Sequence, residues 1–338
     1  MDLAAQSKNW ALTREGEERI TDAAPDEWEV RFVRAPTSSD GDGPPRPSDE
    51  SLEAIRAAEA YFGFGITRSL FREARRLRWV HSAAAGVGSA LFEEMVDSDV
   101  LLTNSAGVHA VPIAEFVVAA VLHFFRGLDV AGAQQRAARW DKLFWVGEDT
   151  PVREMAGARI LVVGTGGIGA EAATRLTALG ARCIGVRRHP ERGAPAGFER
   201  VAGTSALDAE LPEADVVVLA APLTQESAGL LDARRIALLK PPAVVINVSR
   251  GALVDETALA DALRDGRLRG AALDVFVKEP LPAASPLWGL ENALLTPHTS
   301  PVSPGKFWPR ALDVFLDNWT RYQRGEPLRN QVDKRAGY

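Results

Sequence analysis

Between an apolar run, Arg159 to Val163, and a helical pattern reaching Leu179 and ending at Gly180 lies the turn Gly164-Thr165-Gly166-Gly167-Ile168-Gly169. Few folds use such an arrangement. Gly164 permits a tight turn, Gly166 lets backbone approach a pyrophosphate, and Gly169 lets strand and helix pack closely, with the helix N-terminal amides facing the anion. A second apolar run, Arg182 to Val186, completes a strand–helix–strand unit, the context in which a GxGxxG turn reads as a dinucleotide site. Further runs follow at Val216 to Ala220, Val244 to Val248, Ala271 to Asp274 and Ala293 to Leu295. They are continuous rather than alternating, so they read as strands buried on both faces of a helix-covered parallel sheet. This block is a doubly wound domain.

The first third alternates shorter patterns: strand Trp28 to Val33, helix Ser51 to Ala58, strand Ala60 to Phe64 and helix Ser69 to Leu77. Another strand and turn follow at Arg78 to Gly88, then a strand at Val100 to Asn104. The alternation predicts a small parallel α/β unit. Ala35 to Glu50, rich in Pro, Gly, Ser and Asp, reads as an exposed loop. Pro112 opens a helix towards Gly127 that is apolar nearly all round and therefore buried. A last helix spans about Gly305 to Arg324 before a polar tail.

Composition narrows the function. The 338 residues suffice for two domains, and 46% hydrophobic with 25% charged residues is ordinary for a globular protein. A net charge of −6 argues against nucleic acid as partner. The single cysteine, Cys183, makes no internal disulfide and no thiolate metal cluster, and no metal motif is present. No segment has the order of a signal peptide, and Val111 to Phe125 is interrupted by Pro112, Glu115 and His123, so a cytoplasmic protein without membrane partners is expected.

At the end of the second strand an NAD site normally places an acid for the adenosine ribose. Here the chain reads Val186-Arg187-Arg188-His189-Pro190, with no acid before Glu191. Two guanidiniums suit a 2′-phosphate, so NADP(H) is the expected cofactor, with NAD(H) kept open through Glu191. The alternative is that both arginines are solvated surface charges.

Three further strand ends each carry a reactive side chain: Arg250 in Ser249-Arg250-Gly251, Glu279 before Pro280, and His298 in Thr296-Pro297-His298-Thr299. Beside a nicotinamide, a guanidinium, a carboxylate and an imidazole serve hydride transfer to or from a 2-oxo or 2-hydroxy acid. Arg250 would clamp the substrate carboxylate and polarise its carbonyl, while Glu279 would orient His298 and raise its pKa as proton donor. Singly, each has another reading: a surface ion pair, a loop charge, a strand cap.

The stretches GTGGIG, AAPLT (Ala220 to Thr224), NVSRGALVDE (Asn247 to Glu256), GAALDVF with KEPLP (Gly270 to Pro282) and LLTPHTS (Leu294 to Ser300) resemble the D-isomer-specific 2-hydroxyacid dehydrogenase family. SAAAGVGSALF, LLTNSAGVHAVPIAEFV and the ending LRNQVDKRAGY extend the resemblance over most of the chain. It implies two Rossmann-like doubly wound domains, a dinucleotide-binding domain at 109–299 inserted into a flavodoxin-like substrate domain made of 1–108 and 300–338. It also implies Arg250, Glu279 and His298 as the catalytic trio and Asp274 as the acid holding the nicotinamide amide. Ala221, Pro222, Val248, Ser249 and His298 would join the cofactor site. The backbone of Ala85, Gly86 and Val87 would bind the substrate carboxylate; small residues there let amides approach an anion. Arg187, where most NAD-using members have Asp, resembles the NADP-using branch that reduces glyoxylate, hydroxypyruvate and other 2-oxo acids. The resemblance further implies a homodimer, with the helix Pro112 to Arg126 and the aromatic-rich segment after it as the contact.

Among the aromatics Tyr61, Phe62, Phe64, Trp140, Trp145 and Trp308, we expect Phe62, Trp145 and Trp308 to line the substrate pocket. Two other function classes remain open on the sequence. One is a dinucleotide-sensing interaction protein of the co-repressor kind, disfavoured by the lack of long disordered tails. The other is oxidation of formate or phosphite, disfavoured by Arg187. Short-chain dehydrogenase chemistry is excluded, since Tyr61, Tyr322 and Tyr338 offer no YxxxK.

Overall fold

The computed structural model describes residues 1–3, 11–35 and 46–337. The chain forms two compact units, one of Met1–His109 with Ser303–Tyr338 and one of Ala110–Val302. The loop expected at Ala35 to Glu50 lies outside the described residues from 36 to 45, and so does Tyr338. At the described ends of that loop, Glu50 accepts the Arg34 and Ala35 N–H groups at 2.8 and 2.9 Å.

Among its described residues the first unit holds three parallel strands in the order β1 (Ala60–Gly63), β2 (Trp79–Ser82), β3 (Leu101–Asn104). Their successive side chains point to opposite faces. Phe62 and Trp79 enter a core shared with the helix Phe307–Gln323, while Tyr61, Val80 and Leu102 enter another with Ile66 and Leu70. Along that helix Trp308, Leu312, Phe315 and Trp319 recur at helical spacing on the buried side, so the chain's last helix completes the unit its beginning starts.

Trp28 to Val33 joins no β-ladder among the described residues. Trp28, Val30 and Phe32 do alternate onto the core. Among the described residues, however, the backbone bonds to the preceding turn through Trp28 N to Pro25 O and to the chain start through Met1 N to Arg31 O and Val33 N to Met1 O, each 2.9 Å. Alternation reports one-sided burial, and a ladder needs a partner strand as well.

The second unit is one seven-stranded parallel sheet, ordered β10-β9-β8-β7-β4-β5-β6. Its strands are β4 (Arg159–Val163), β5 (Arg182–Arg187), β6 (Arg200–Gly203), β7 (Val216–Leu219), β8 (Val244–Asn247), β9 (Gly270–Leu273) and β10 (Ala293–Leu295). The expected burial of both faces is explicit: Leu161, Val163, Val217 and Leu219 enter one core, Ile160, Val162, Val216 and Val218 the other. Each such side chain stabilises the fold by roughly 1.5–3 kcal/mol relative to exposure. The helix Ala110–Phe125 covers the second core with Val117, Val121 and Phe124. Strand order reverses between β4 and β7, and an open α/β sheet binds its ligands outside the carboxyl ends at such a switch point. Among the described residues, no single helix is long and apolar enough to cross a membrane.

Candidate active site

The glycine turn follows β4 at that switch point. Gly164 has φ +99°, and a Cβ there would stand 2.5 Å from Ala221 N. A Cβ on Gly169 would stand 1.9 Å from the Gly164 carbonyl oxygen. Protein packing therefore requires both glycines. At Gly166 a Cβ would meet nothing within 4 Å. The missing side chain there leaves room for something other than protein, beside the free first amides of the helix Gly167–Ala178. Thr165 Oγ1 is buried with no hydrogen-bond partner among the described residues. Ser249 Oγ donates to the Ala221 carbonyl and Ser227 Oγ to that of Pro222, so the segments after β7 and β8 are fixed beside the turn. Val248 is buried directly after β8. The turn fits the phosphates of a dinucleotide.

At the end of β5, Arg187 Nη1 reaches the Gly193 carbonyl at 3.4 Å and pairs with no acid among the described residues. Arg188 Nη2 pairs with Glu226 Oε2 at 2.6 Å. Glu191, considered for a ribose, instead meets His189 Nδ1 at 3.1 Å.

The trio stands on the loops after β8, β9 and β10. Asn247 Nδ2 donates to the Arg250 carbonyl at 2.9 Å and fixes the backbone, leaving the exposed guanidinium with the Ser249 carbonyl at 2.7 Å and no carboxylate among the described residues. A Cβ on Gly251 would stand 1.8 Å from Phe276 C, so the β8 and β9 loops touch through backbone. The Phe276 N–H donates to Glu279 Oε1 at 3.0 Å, and Glu279 Oε2 meets His298 Nδ1 at 2.9 Å. This contact leaves Nε2 as the ring's outward nitrogen. His298 sits at φ +53°, a region costly for a residue with a Cβ. Asp274 maintains that strain: its backbone oxygen accepts His298 N–H at 2.9 Å, and its carboxylate accepts Thr296 Oγ1, Thr299 N and Ser300 N at 2.6–3.1 Å, and Ser300 Oγ. Asp274 is 1% exposed, so a nicotinamide amide would have to displace one of these donors.

In the first unit, Ala85, Gly86 and Val87 follow β2 in a bend whose three amides meet no acceptor among the described residues. Asn104 Nδ2 braces it through the Ala85 carbonyl at 2.8 Å. The aromatic expectations need correction. Phe62 is 1% exposed and stacked on Phe315 with centroids 4.1 Å apart, so it is core. Trp308 is 5% exposed in the same core. Trp145 donates its Nε1 to the Arg126 carbonyl at 3.0 Å, beside Phe144, whose ring lies 5.2 Å from the Arg269 guanidinium just before β9. It therefore stands at the amino ends of the strands, opposite the trio.

Residues 118–300, more than half of the chain, match the family model for the D-isomer specific 2-hydroxyacid dehydrogenase, NAD binding domain. The chain belongs to this family. A glyoxylate/hydroxypyruvate reductase A of Salmonella newport is 33% identical, covering 78% of this chain and 83% of its own. A D-3-phosphoglycerate dehydrogenase of Methanocaldococcus jannaschii is 30% identical over 84% of this chain, which spans about half (53%) of that relative's length. Among solved structures, a D-isomer specific 2-hydroxyacid dehydrogenase of Xanthobacter autotrophicus Py2, in complex with NADPH and MES, superposes with a TM-score of 0.78. It is 32% identical, with 99% of this chain and 98% of that one covered.

Several residues that brace these candidate segments escape sequence reasoning. Thr296, Ser300, Asn104 and Glu226 act through long-range bonds, and only the small-polar character of the Thr-Pro-His-Thr-Ser stretch hints at the first two.

Proposed function

We propose that this chain is an NADP(H)-dependent reductase of 2-oxo acids, equivalently a D-2-hydroxyacid dehydrogenase, acting on glyoxylate, hydroxypyruvate or a related small acid. The observation that carries the reading is the His298 Nδ1–Glu279 Oε2 contact of 2.9 Å together with an Arg250, on the loop after β8, that pairs with no acid among the described residues. Arg250 takes the substrate carboxylate and draws electron density from its carbonyl. His298, held through Nδ1 by Glu279, turns Nε2 towards the carbonyl oxygen as the proton donor, and Glu279 fixes the ring's orientation. The amides of Ala85, Gly86 and Val87 bind carboxylate oxygen in the first unit, the substrate domain of this reading.

The second unit is then the dinucleotide domain. Gly164–Gly169 and the helix behind them would hold the pyrophosphate, Arg187 and Arg188 the 2′-phosphate, and Ala221, Pro222, Val248 and Ser249 the flanks. Once bound, a reduced nicotinamide supplies hydride. NADP(H) is favoured over NAD(H) because Arg187 pairs with no acid among the described residues and no acid replaces the ribose acceptor. Trp140 is 90% exposed, and Leu128, Leu143 and Val146 are each more than half exposed, which supports a homodimer in which a second copy covers them. We place the enzyme in the cytoplasm, without nucleic-acid or membrane partners.

The test is oxidation of NADPH, with NADH in parallel, by purified protein given glyoxylate, hydroxypyruvate, pyruvate, phenylpyruvate or 2-oxoisocaproate. Turnover with NADPH on the small acids is expected. Tight NADPH binding with no turnover on any of them overturns the reductase reading.

A further inference from the structure

We propose that Glu226 is a cofactor-specificity residue, holding Arg188 across the carboxyl end of β4 and so setting how tightly the site takes a 2′-phosphate. The proposal rests on the NADP(H) reading above. In the sheet β4 lies between β5 and β7. Arg188 stands directly after β5 and Glu226 in the turn after β7, so their 2.6 Å ion pair bridges the strands on either side of the glycine turn.

The two partners are held differently. Glu226 sits in a turn closed on itself: Thr224 N–H donates to Ser227 Oγ at 2.7 Å, Ser227 N–H to Thr224 Oγ1 at 3.2 Å, and Ser227 Oγ to the Pro222 carbonyl at 2.7 Å. The carboxylate is thus presented from fixed backbone, whereas Arg188 is a long side chain just past a strand end. An anion arriving at the end of β5 meets an Arg187 held only by a long 3.4 Å bond to the Gly193 carbonyl among the described residues, and an Arg188 already paired with an acid. It must draw Arg188 away from Glu226 and bind against that carboxylate's charge. Side-chain exposures of 38% and 74% make this pair weak enough for a phosphate to displace. A ribose carrying only hydroxyls makes no such demand. Glu226 therefore tempers affinity for the phosphorylated cofactor and leaves the other untouched.

The experiment titrates wild type, Glu226→Gln, Arg188→Ala and the double variant with NADPH and with NADH, following quenching of protein fluorescence. In Glu226→Gln the NADPH dissociation constant is expected to fall about three-fold, the scale of an exposed ion pair, with NADH unchanged. In the Arg188→Ala background the same substitution is expected to change neither. Unchanged NADPH binding in Glu226→Gln, or an equal gain for NADH, overturns the proposal while wild-type discrimination keeps the cofactor reading intact. A wild type that binds NADH as tightly as NADPH overturns the cofactor reading and this proposal with it. The thermal melting curve of Glu226→Gln, an exposed site, is the control for folding.

Discussion

His298 combines an unfavourable backbone with a fixed ring: φ +53°, a backbone bond to Asp274 and a 2.9 Å contact to Glu279. Local strain persists where surrounding bonds over-determine it. His298→Ala is expected to lower kcat roughly 10²–10⁴-fold, the range of general acid catalysis, while the NADPH dissociation constant stays near wild type. Steady-state kinetics beside a cofactor titration checks both halves, and an unchanged kcat removes the proton-donor role. Arg250→Lys keeps the charge and loses the planar fork, so kcat/KM is expected to fall by about 2 kcal/mol, roughly thirty-fold. A change within two-fold would leave the carboxylate to other donors. The strand-end positions of Arg250, Glu279 and His298 were legible because each follows a continuous apolar run, and the structure adds the contact between the last two. Phe62 was not, since an aromatic serves a core and a pocket equally well, and only its stacking on Phe315 decides.

The glycine turn shows how one motif divides its work between fold and ligand. Gly169→Ala would force Cβ to 1.9 Å from the Gly164 carbonyl and separate helix from turn, whereas Gly166→Ala meets no protein atom within 4 Å. We expect Gly169→Ala to cost at least about 1–3 kcal/mol of stability in urea unfolding. Gly166→Ala should unfold like wild type and lose dinucleotide affinity; equal melting losses in both variants would contradict this division. The buried strands of the second unit were readable for a related reason: both faces of β4, β7 and β8 are covered, so their sequences are continuously apolar. β6, at the sheet edge, was missed because Arg200–Gly203 contains one β-branched residue. The helix Arg14–Ala23 was also missed, although Thr13 caps it and Glu15 and Glu17 occupy its first turn. Trp145 was misplaced because sequence position does not say at which end of a strand a neighbouring helix stops.

Stability of the whole chain against acid should depend on a histidine outside the candidate site. His81, on the central strand of the first unit, is fully buried, with Nδ1 on Thr103 Oγ1 at 2.7 Å and Nε2 on Ser105 Oγ at 3.3 Å. Burial pushes its pKa down from 6.5 to about 3. The unfolded chain therefore takes up a proton as pH falls through 6.5, while the folded chain stays neutral until about 3. The stabilisation is complete above the unfolded value and is lost progressively across that window. Between pH 7 and pH 5 the loss is about 2 kcal/mol at the usual 1.36 kcal/mol per unit. His123, also pushed down by burial, adds in the same direction. Urea unfolding at both pH values, in wild type, His81→Gln and His123→Gln, separates the two contributions. His81→Gln loses packing at either pH, so the decisive quantity is the difference between them, which should shrink by most of that amount. If the acid slope persists in His81→Gln, the buried imidazole is not its source.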